Sequence, residues 1–346
     1  MTVPSPVSDP TRETQLPTDL VKHEPGWKRL LRRQESVVFG ALVVMCATFA
    51  LWHPVEFATA ANVRGMAMDA SVLLLIALGM TFVIASAGID LSVGSVLIFA
   101  SIISIKAMGV VGSTGVAVAL VGVVAGCGAG AAWGLLNGVL IAWLRLPPLL
   151  VTLATLGAAL GASQLLTGGA ELTDVPTDLN STIGFGTVIG IPYLAITVTV
   201  VTVIGGLILA YTRFGRRTYA IGSSHAAARR AGIPTANHLT VVYTLMGGLA
   251  GAAGFLSIAR FGTTSIGGHT TDALSAVTAV ILGGASLFGG TGTVIGTVIG
   301  VSIPTVLANG LVIVGVPASW QPIAVAAVLI AAVYADRRRR DKQQRN

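Results

Sequence analysis

Long apolar segments alternate with short polar stretches through most of the chain. Ten such segments lie at approximately 37–52, 66–87, 93–108, 115–142, 148–167, 191–211, 238–259, 273–288, 294–314 and 319–334. A helix needs about 20 mainly apolar residues to cross a bilayer, so the pattern predicts about ten transmembrane segments. Several are shorter, notably 93–108, 273–288 and 319–334, and these predict half-helices or tilted partners of their neighbours.

Composition supports a membrane protein. Hydrophobic residues make up 53% of the chain and charged residues only 10%, whereas soluble domains contain about 25% charged residues. The predicted fold class is therefore an all-α polytopic membrane protein with some broken or half-helices. We expect residues 1–35 to form a polar tail with a short interfacial helix at 27–33. Residues 36–335 are expected to form a transmembrane domain, and residues 336–346 a basic tail.

The distribution of basic residues predicts the orientation in the membrane. If the N-terminus is cytoplasmic, only Arg64, Lys106 and Arg260 of the 21 Lys and Arg residues fall on the outer side. That asymmetry is what the positive-inside rule expects of a chain with both termini in the cytoplasm. The basic ends therefore face anionic lipid, and nucleic acid is not predicted as a partner. The first apolar run starts at Val37, which indicates a retained span rather than a cleavable signal peptide.

A carboxylate interrupts the apolar pattern near the end of the second segment. Residues 87–95 read A-G-I-D-L-S-V-G-S. A charged side chain at bilayer depth costs roughly 2.5 to 3.5 kcal/mol on insertion scales, so one that is present usually faces protein or a water-filled cavity. The flanking glycines allow the helix to break there. Asp90 therefore marks either a transport pathway or a cytoplasmic turn.

A weak sequence similarity between two parts of the chain extends this prediction. Residues 284–290, G-A-S-L-F-G-G, are similar to residues 88–94, and the Asn-Gly pair at 137–138 recurs at 309–310. Transporters are often built from two similar halves with the binding site at their interface. Residues predicted to line a polar substrate pathway are Asp90, Ser92, Asn137, Ser286 and Asn309.

Glycines at intervals of four predict close helix packing. Small residues at this spacing let two helix backbones approach each other. The fourth segment carries Gly122, Gly126, Gly130, Gly134 and Gly138. Shorter series occur at Gly247 and Gly251, and at Gly292, Gly296 and Gly300. These glycines carry no information about a substrate.

Two connections are long. The outer loop at 168–190 contains Glu171, Asp174 and Asp178 and no Lys or Arg. The inner loop at 212–237 opens with R-F-G-R-R, predicted to be a basic turn. An Ala-rich helix then starts at Ser-Ser and stops at Gly232. This helix either docks another protein and transmits its movement, or belongs to a solvated loop whose basic residues set the orientation in the membrane.

Several kinds of chemistry have no sequence support. The chain has no G-x-x-x-x-G-K-[ST] phosphate-binding loop, its five His show no metal-ligand spacing, and no nucleophile and base are paired. The sequence therefore predicts no enzyme, metal site or cofactor in this chain. An ATP-independent secondary transporter or channel remains an alternative, as does a non-transporting scaffold or receptor subunit.

Four motifs in order resemble one transporter family. They are G-M-T-F-V-I-A-S-A-G-I-D-L-S-V-G-S at 79–95, L-L-N-G-V-L-I-A-W-L-R-L-P-P-L-L-V-T-L-A-T-L-G at 135–157, R-F-G-R-R-T-Y-A-I-G at 213–222 and A-V-I-L-G-G-A-S-L-F-G-G-T-G-T-V-I-G at 279–296. The chain resembles the permease subunits of ribose-type ABC importers, in the branched-chain amino acid/ribose permease superfamily. The block at 88–95 separates it from the amino-acid and nucleoside members.

The resemblance implies a complete import system in the bacterial inner membrane. It implies a second permease copy or paralogue, cytoplasmic ATP-binding subunits that carry ATP and Mg, and an extracytoplasmic sugar-binding protein. The cargo would be a monosaccharide such as ribose, a deoxysugar or a related sugar. The acidic outer loop would suit docking of the binding protein, and acids that simply face solvent are an equally good explanation.

The resemblance also implies that the inner loop is the coupling helix seated in the ATPase. Its residues would be His225, Ala226, Ala227, Arg229, Arg230 and Gly232. Family members often have Glu-Ala-Ala where this chain has His225 and two alanines. This departure puts in doubt the polar contact at position 225 and leaves the helix assignment unchanged.

Overall fold

A computed structural model describes residues 34–112, 114–320, 323, 324, 326, 327 and 330. The predicted interfacial helix at 27–33, the basic tail at 336–346 and most of the last apolar segment at 319–334 lie outside the described residues.

Helices make up nearly the whole described part of the chain. Within it, eight helices are long and apolar enough to cross a membrane. These are α1 (Gln34–Trp52), α3 (Ala60–Ala85), α4 (Val93–Val111), α5 (Val116–Ala142), α6 (Pro148–Thr167), α8 (Tyr193–Tyr211), α11 (Thr235–Phe261) and α13 (Val294–Ile313). Shorter helices are α2 (Pro54–Phe57), α7 (Thr177–Leu179), α9 (Arg213–Ser223), α10 (His225–Arg230) and α12 (Asp272–Leu282).

The structure corrects one of the segments that were expected to be short and agrees with a half-helix at another. The segment predicted at 93–108 continues to Val111 and is a full-length span, α4. The segment predicted at 273–288 is instead an 11-residue helix, α12, followed by irregular chain. Gly284 follows α12 with a φ of 100°, a conformation that favours glycine and ends the helix. Hydropathy alone did not separate this apolar loop from the helix before it.

Glycines join α5 and α11 along one seam. A Cβ atom at Gly130 would overlap the carbonyl oxygen of Gly247, and one at Gly134 would overlap the carbonyl oxygen of Tyr243. At Gly138 it would lie 2.7 Å from the Cα of Thr240. The predicted packing role of these glycines is confirmed, and α11 is with α3 and α4 among the most buried spans.

Two irregular segments interrupt the helices at one end of the bundle. The first joins α3 to α4 at residues 86–92, and the second joins α12 to α13 at residues 283–293. They touch, because Gly289 packs against Ala87, and Gly290 N donates a hydrogen bond of 3.0 Å to the carbonyl oxygen of Ala85, the last residue of α3. We call them break 1 and break 2. Helices α9 and α10 lie at this same end, since Gly222 of α9 packs against both Ala85 and Gly290.

The opposite end carries the loop between α6 and α8. It contains α7, a π-helical turn at Asn180–Gly184 and a two-residue hairpin of β1 (Thr187–Val188) with β2 (Ile191–Pro192). Leu172 N donates to Thr264 Oγ1 at 2.9 Å, and Thr264 N donates to the Leu172 carbonyl oxygen at 3.0 Å. The loop is thereby fixed to the connection between α11 and α12, and we call this the hairpin end.

Candidate functional site

Three predicted pathway residues form one hydrogen-bonded cluster at break 1. Asp90 Oδ1 accepts hydrogen bonds from Ser92 N at 2.9 Å and from Ser92 Oγ at 2.6 Å. Asn137 Nδ2, on α5, donates to Ser92 Oγ at 2.9 Å. Asp90 is 2% exposed, and Ser92 and Asn137 are fully buried. Three of the five predicted pathway residues therefore meet in space.

This cluster shapes the start of α4. An Asp that accepts a hydrogen bond from the backbone N–H two residues on forms a local turn, which is a frequent way to begin a helix. Tyr243 Oη on α11 lies 3.4 Å from the Ile89 carbonyl oxygen, in hydrogen-bonding position. Ser92 and Ile89 thus join break 1 to α5 and α11, and Asp90, bonded to Ser92, is buried in this conformation.

The other two predicted pathway residues lie elsewhere. Ser286 is in break 2, where its Oγ accepts a hydrogen bond of 3.3 Å from Phe288 N. Asn309 lies toward the opposite end of α13, where its side-chain amide exchanges two hydrogen bonds with that of Asn62, at 2.8 and 3.0 Å. The structure brings Ser286 near break 1, because Gly289 donates a hydrogen bond to the Ser286 carbonyl oxygen and packs against Ala87. It does not bring Asn309 to the Asp90 cluster.

The inner loop forms two helices rather than a turn and one helix. The residues R-F-G-R-R were predicted to be a basic turn, and this is wrong, because they form the first turns of α9. Thr212 caps that helix by accepting a hydrogen bond from Gly215 N. The α10 prediction is confirmed at both ends. Ser224 Oγ accepts a hydrogen bond from Ala227 N at 3.2 Å, and Gly232 follows the helix with a φ of 78°.

The predicted coupling residues lie on one accessible surface. Ala228 alone of the α10 side chains is buried, against Ile221 and Leu239. The exposed residues are His225, Ala226, Ala227, Arg229, Arg230 and Gly232. Helix α10 is therefore anchored by one alanine and presents basic and small side chains outward.

A chamber at the hairpin end was not predicted from the sequence. It has a volume of about 590 Å³ and is lined by residues of α3, the loop before α7, α11, and the connection from α11 into α12. Arg260 Nη2 donates to Asp69 Oδ1 in its wall. His269 lies between two partners, with Nδ1 2.7 Å from Asp272 Oδ2 and Nε2 2.9 Å from Ser257 Oγ.

Of the three acidic residues predicted for the outer loop, only Glu171 lines this chamber. Asp174 and Asp178 are exposed on the loop outside it. The sequence did reveal charges at Asp69 and Arg260, but as isolated residues at the ends of apolar segments. Their pairing depends on how α3 and α11 pack, and no local spacing encodes that.

Comparison with known proteins identifies the family. The model of the family described as branched-chain amino acid transport system / permease component matches residues 62–333. The chain belongs to this family. The predicted resemblance is confirmed, and this permease is a multi-pass protein of the bacterial inner membrane.

Relatives with printed functions cover most of the permease. It is 35% identical to the ribose import permease protein RbsC of Escherichia coli K12, over 90% of this chain and 96% of the relative. It is 34% identical to the D-allose transport system permease protein AlsC of the same strain, over 86% and 90%. It is 34% identical to the autoinducer 2 import system permease protein LsrC of Salmonella paratyphi B, over 80% and 79%. No solved structure matches the chain.

Proposed function

We propose that this permease is the membrane subunit of an ABC importer for a monosaccharide such as ribose, allose, a deoxysugar or a related sugar. An extracytoplasmic binding protein delivers the sugar, and separate cytoplasmic subunits that carry ATP and Mg supply the energy. A second copy or a paralogue completes the permease pair. The observation that carries the proposal is that relatives named for ribose and allose transport match nearly the whole chain.

The geometry of the two ends supports this division of labour. With both termini cytoplasmic, α9 and α10 lie on the cytoplasmic side, where their exposed arginines satisfy the positive-inside rule. The hairpin end then faces outward with its chamber. A volume of about 590 Å³ falls within the range of about 300–1,000 Å³ that is usual for small-molecule pockets.

The mechanism follows from how the two ends are joined. Closure of the ATPases moves α10, and α9 passes that displacement to break 2 and to the end of α3 beside break 1, both of which it touches at Gly222. Helices α3 and α4 meet at break 1, and α3 also carries Asp69 in the chamber wall. A shift at break 1 therefore alters the chamber at the far end of α3. The sugar enters from the binding protein while the chamber is open outward and leaves when the breaks rearrange.

The rival is a secondary transporter or channel that works without ATP. Ion-coupled transporters place acidic groups in contact with a wet pathway. Asp90, the one acid that the sequence placed inside the apolar run, is 2% exposed and hydrogen-bonded to Ser92. The burial of Asp90 therefore favours a positioning role for this residue over ion coupling.

The test is transport in vesicles. The permease is reconstituted with the ATPase and binding protein of its system, and uptake is recorded for labelled ribose, allose, deoxyribose and leucine. We expect uptake of at least one sugar that requires both ATP and the binding protein, and no uptake of leucine. Uptake of leucine alone would replace the proposed cargo class, and uptake driven by an ion gradient without either partner would overturn the importer mechanism.

A further inference from the structure

Arg260 has hydrogen-bonding capacity that the protein does not use. Its side chain is 12% exposed, and only Nη2 is bonded, to Asp69. The Nε and Nη1 atoms are buried and make no hydrogen bond with any part of the chain that the structure describes. Buried polar groups are nearly always hydrogen-bonded, and a guanidinium has five donors. Arg260 is thus an underused donor in a chamber wall.

Several acceptors line the same chamber as this donor. Asp69 is half exposed beside it, and Glu171 lines the same chamber. Asp272 holds the His269 ring with one carboxylate oxygen. The chamber thus combines one permanent cation with three carboxyl groups. A hydroxyl group can donate and accept at once, so a molecule with several hydroxyls can use both kinds of group without carrying charge itself.

An aromatic surface lies next to the donor. Phe261 is 58% exposed, and the centre of the Arg260 guanidinium lies 5.5 Å from the centroid of its ring. The chamber wall also contains Met68, Val72 and Leu73. Pockets that bind small molecules pair an apolar lining with a few placed polar groups. A sugar ring matches that combination, because its C–H face is apolar and its rim carries hydroxyls.

We propose that this chamber is the site where the permease first receives its cargo, and that opening of the chamber uncovers Arg260 Nε and Nη1, which are buried in this conformation, so that they bind the cargo hydroxyls. Asp69 is a positioning residue that orients the guanidinium. The excess of carboxyl groups selects neutral polyhydroxylated molecules and rejects sugar phosphates and sugar acids, because like charges repel in a partly buried site. This inference rests on the proposed function and adds the residues and the charge selectivity.

Two substitutions of Arg260 separate cargo binding from structure. Arg260→Gln removes the charge, and Arg260→Lys keeps a cation for Asp69 but loses the planar set of donors. In the reconstituted complex, both should lower uptake of the transported sugar by about tenfold or more, with assembly and basal ATP hydrolysis within twofold of wild type. Arg64→Gln is the matched control, because Arg64 is an exposed arginine beside Gly190 at the same end and should transport normally.

The outcomes distinguish the two proposals. A wild-type complex that moves no sugar would reject the proposed function. If the wild-type complex and Arg260→Lys move sugar at the same rate, Arg260 is not a cargo-binding residue. If, in addition, uptake is lost in Arg260→Gln, the ion pair with Asp69 is the whole role of Arg260.

A second measurement locates the cargo directly. Ser275 lines the chamber and Ser181 lies exposed on the nearby loop. With Cys46 and Cys127 replaced by Ala, Ser275→Cys and Ser181→Cys are labelled with a small polar thiol reagent, with and without saturating sugar and binding protein. We expect the sugar to slow labelling at 275 several-fold more than at 181. Equal labelling with and without sugar, in a complex that transports it, would overturn the chamber as the receiving site.

Discussion

Tyr219 Oη donates a hydrogen bond of 2.6 Å to the carbonyl oxygen of Gly292. The bond ties α9 to break 2, and Gly222, one turn further along α9, contacts Gly290 in break 2 and Ala85 at the end of α3. Burial raises the pKa of the Tyr219 phenol above its ordinary value, so the hydroxyl keeps its proton and remains a donor at physiological pH. Helix α9 is therefore the physical link between α10 and the interrupted helices.

Replacing Tyr219 with Phe tests that link. The substitution keeps the ring and removes a hydrogen bond whose net contribution is about 0.5 to 1.5 kcal/mol. We expect the complex to assemble and hydrolyse ATP normally but to move several-fold fewer sugar molecules per ATP. The measurement is the ratio of uptake to hydrolysis in vesicles. Tyr211→Phe, at an exposed tyrosine at the end of α8, is the control, and an unchanged ratio in Tyr219→Phe would show that the bond transmits nothing.

Charge reversal on α10 tests the proposed ATPase contact. Arg229 and Arg230 are exposed in its last turn, so exchanging both for Glu leaves the packing of Ala228 intact. We expect loss of sugar-stimulated ATP hydrolysis and at least tenfold less uptake. The matched control is the same double reversal at Arg213 and Arg216, two exposed arginines in the first turns of α9. Normal assembly and normal sugar-stimulated ATP hydrolysis in the α10 variant would mean that the loop only sets the orientation in the membrane.

Removing the Asp90 carboxylate tests break 1. Asp90→Ala leaves Ser92 N and Ser92 Oγ without their acceptor, and an unpaired buried polar group costs about 1 to 3 kcal/mol. We expect reduced uptake with ATPase association intact, and a lower melting temperature of the purified permease. Asp90→Asn retains an acceptor oxygen and should recover most of the melting temperature. Wild-type uptake in Asp90→Ala would remove this residue from the transport cycle.

Adding one methyl group tests the glycine seam. At Gly134 the new methyl would collide with the Tyr243 carbonyl oxygen, whereas no atom lies within 4 Å of the same position at Gly128. Overpacking typically costs 1 to 3 kcal/mol, so Gly134→Ala should melt several degrees below wild type in detergent. Gly128→Ala should match or slightly exceed wild type, because alanine favours a helix. Equal melting of the two variants would contradict the packing derived for α5 and α11.

What the sequence predicted correctly follows local rules. Hydropathy located the long spans, the four-residue spacing identified the face of α5 that meets α11, and the Ser-Ser and Gly-Ile-Pro signals bounded α10. Helix α9 was missed because three arginines and a glycine at 213–217 suggested a turn. In the structure the arginines are exposed, and Gly215 lies so close to the Leu209 carbonyl oxygen that no larger residue fits.

The remaining features are set by tertiary packing. The repeated Asn-Gly pair placed Asn309 with Asn137, yet the two helices meet different neighbours, and Asn309 bonds to Asn62 instead. The chamber draws its charges from α3, α11 and the start of α12, which are separated by up to about two hundred positions along the chain. Neither periodicity nor a motif reports a pairing such as Asp69 with Arg260.

The seam between α5 and α11 has a mechanical consequence. Side chains normally separate the backbones of two packed helices. A change of rotamer can then let the helices slide or separate slightly. Here backbone meets backbone at Gly130 and Gly247, so the pair has no spacer to adjust. We expect α5 and α11 to move as one rigid unit through the transport cycle. Conformational freedom is then confined to the elements that hinge against it, above all α3, α4 and the two breaks.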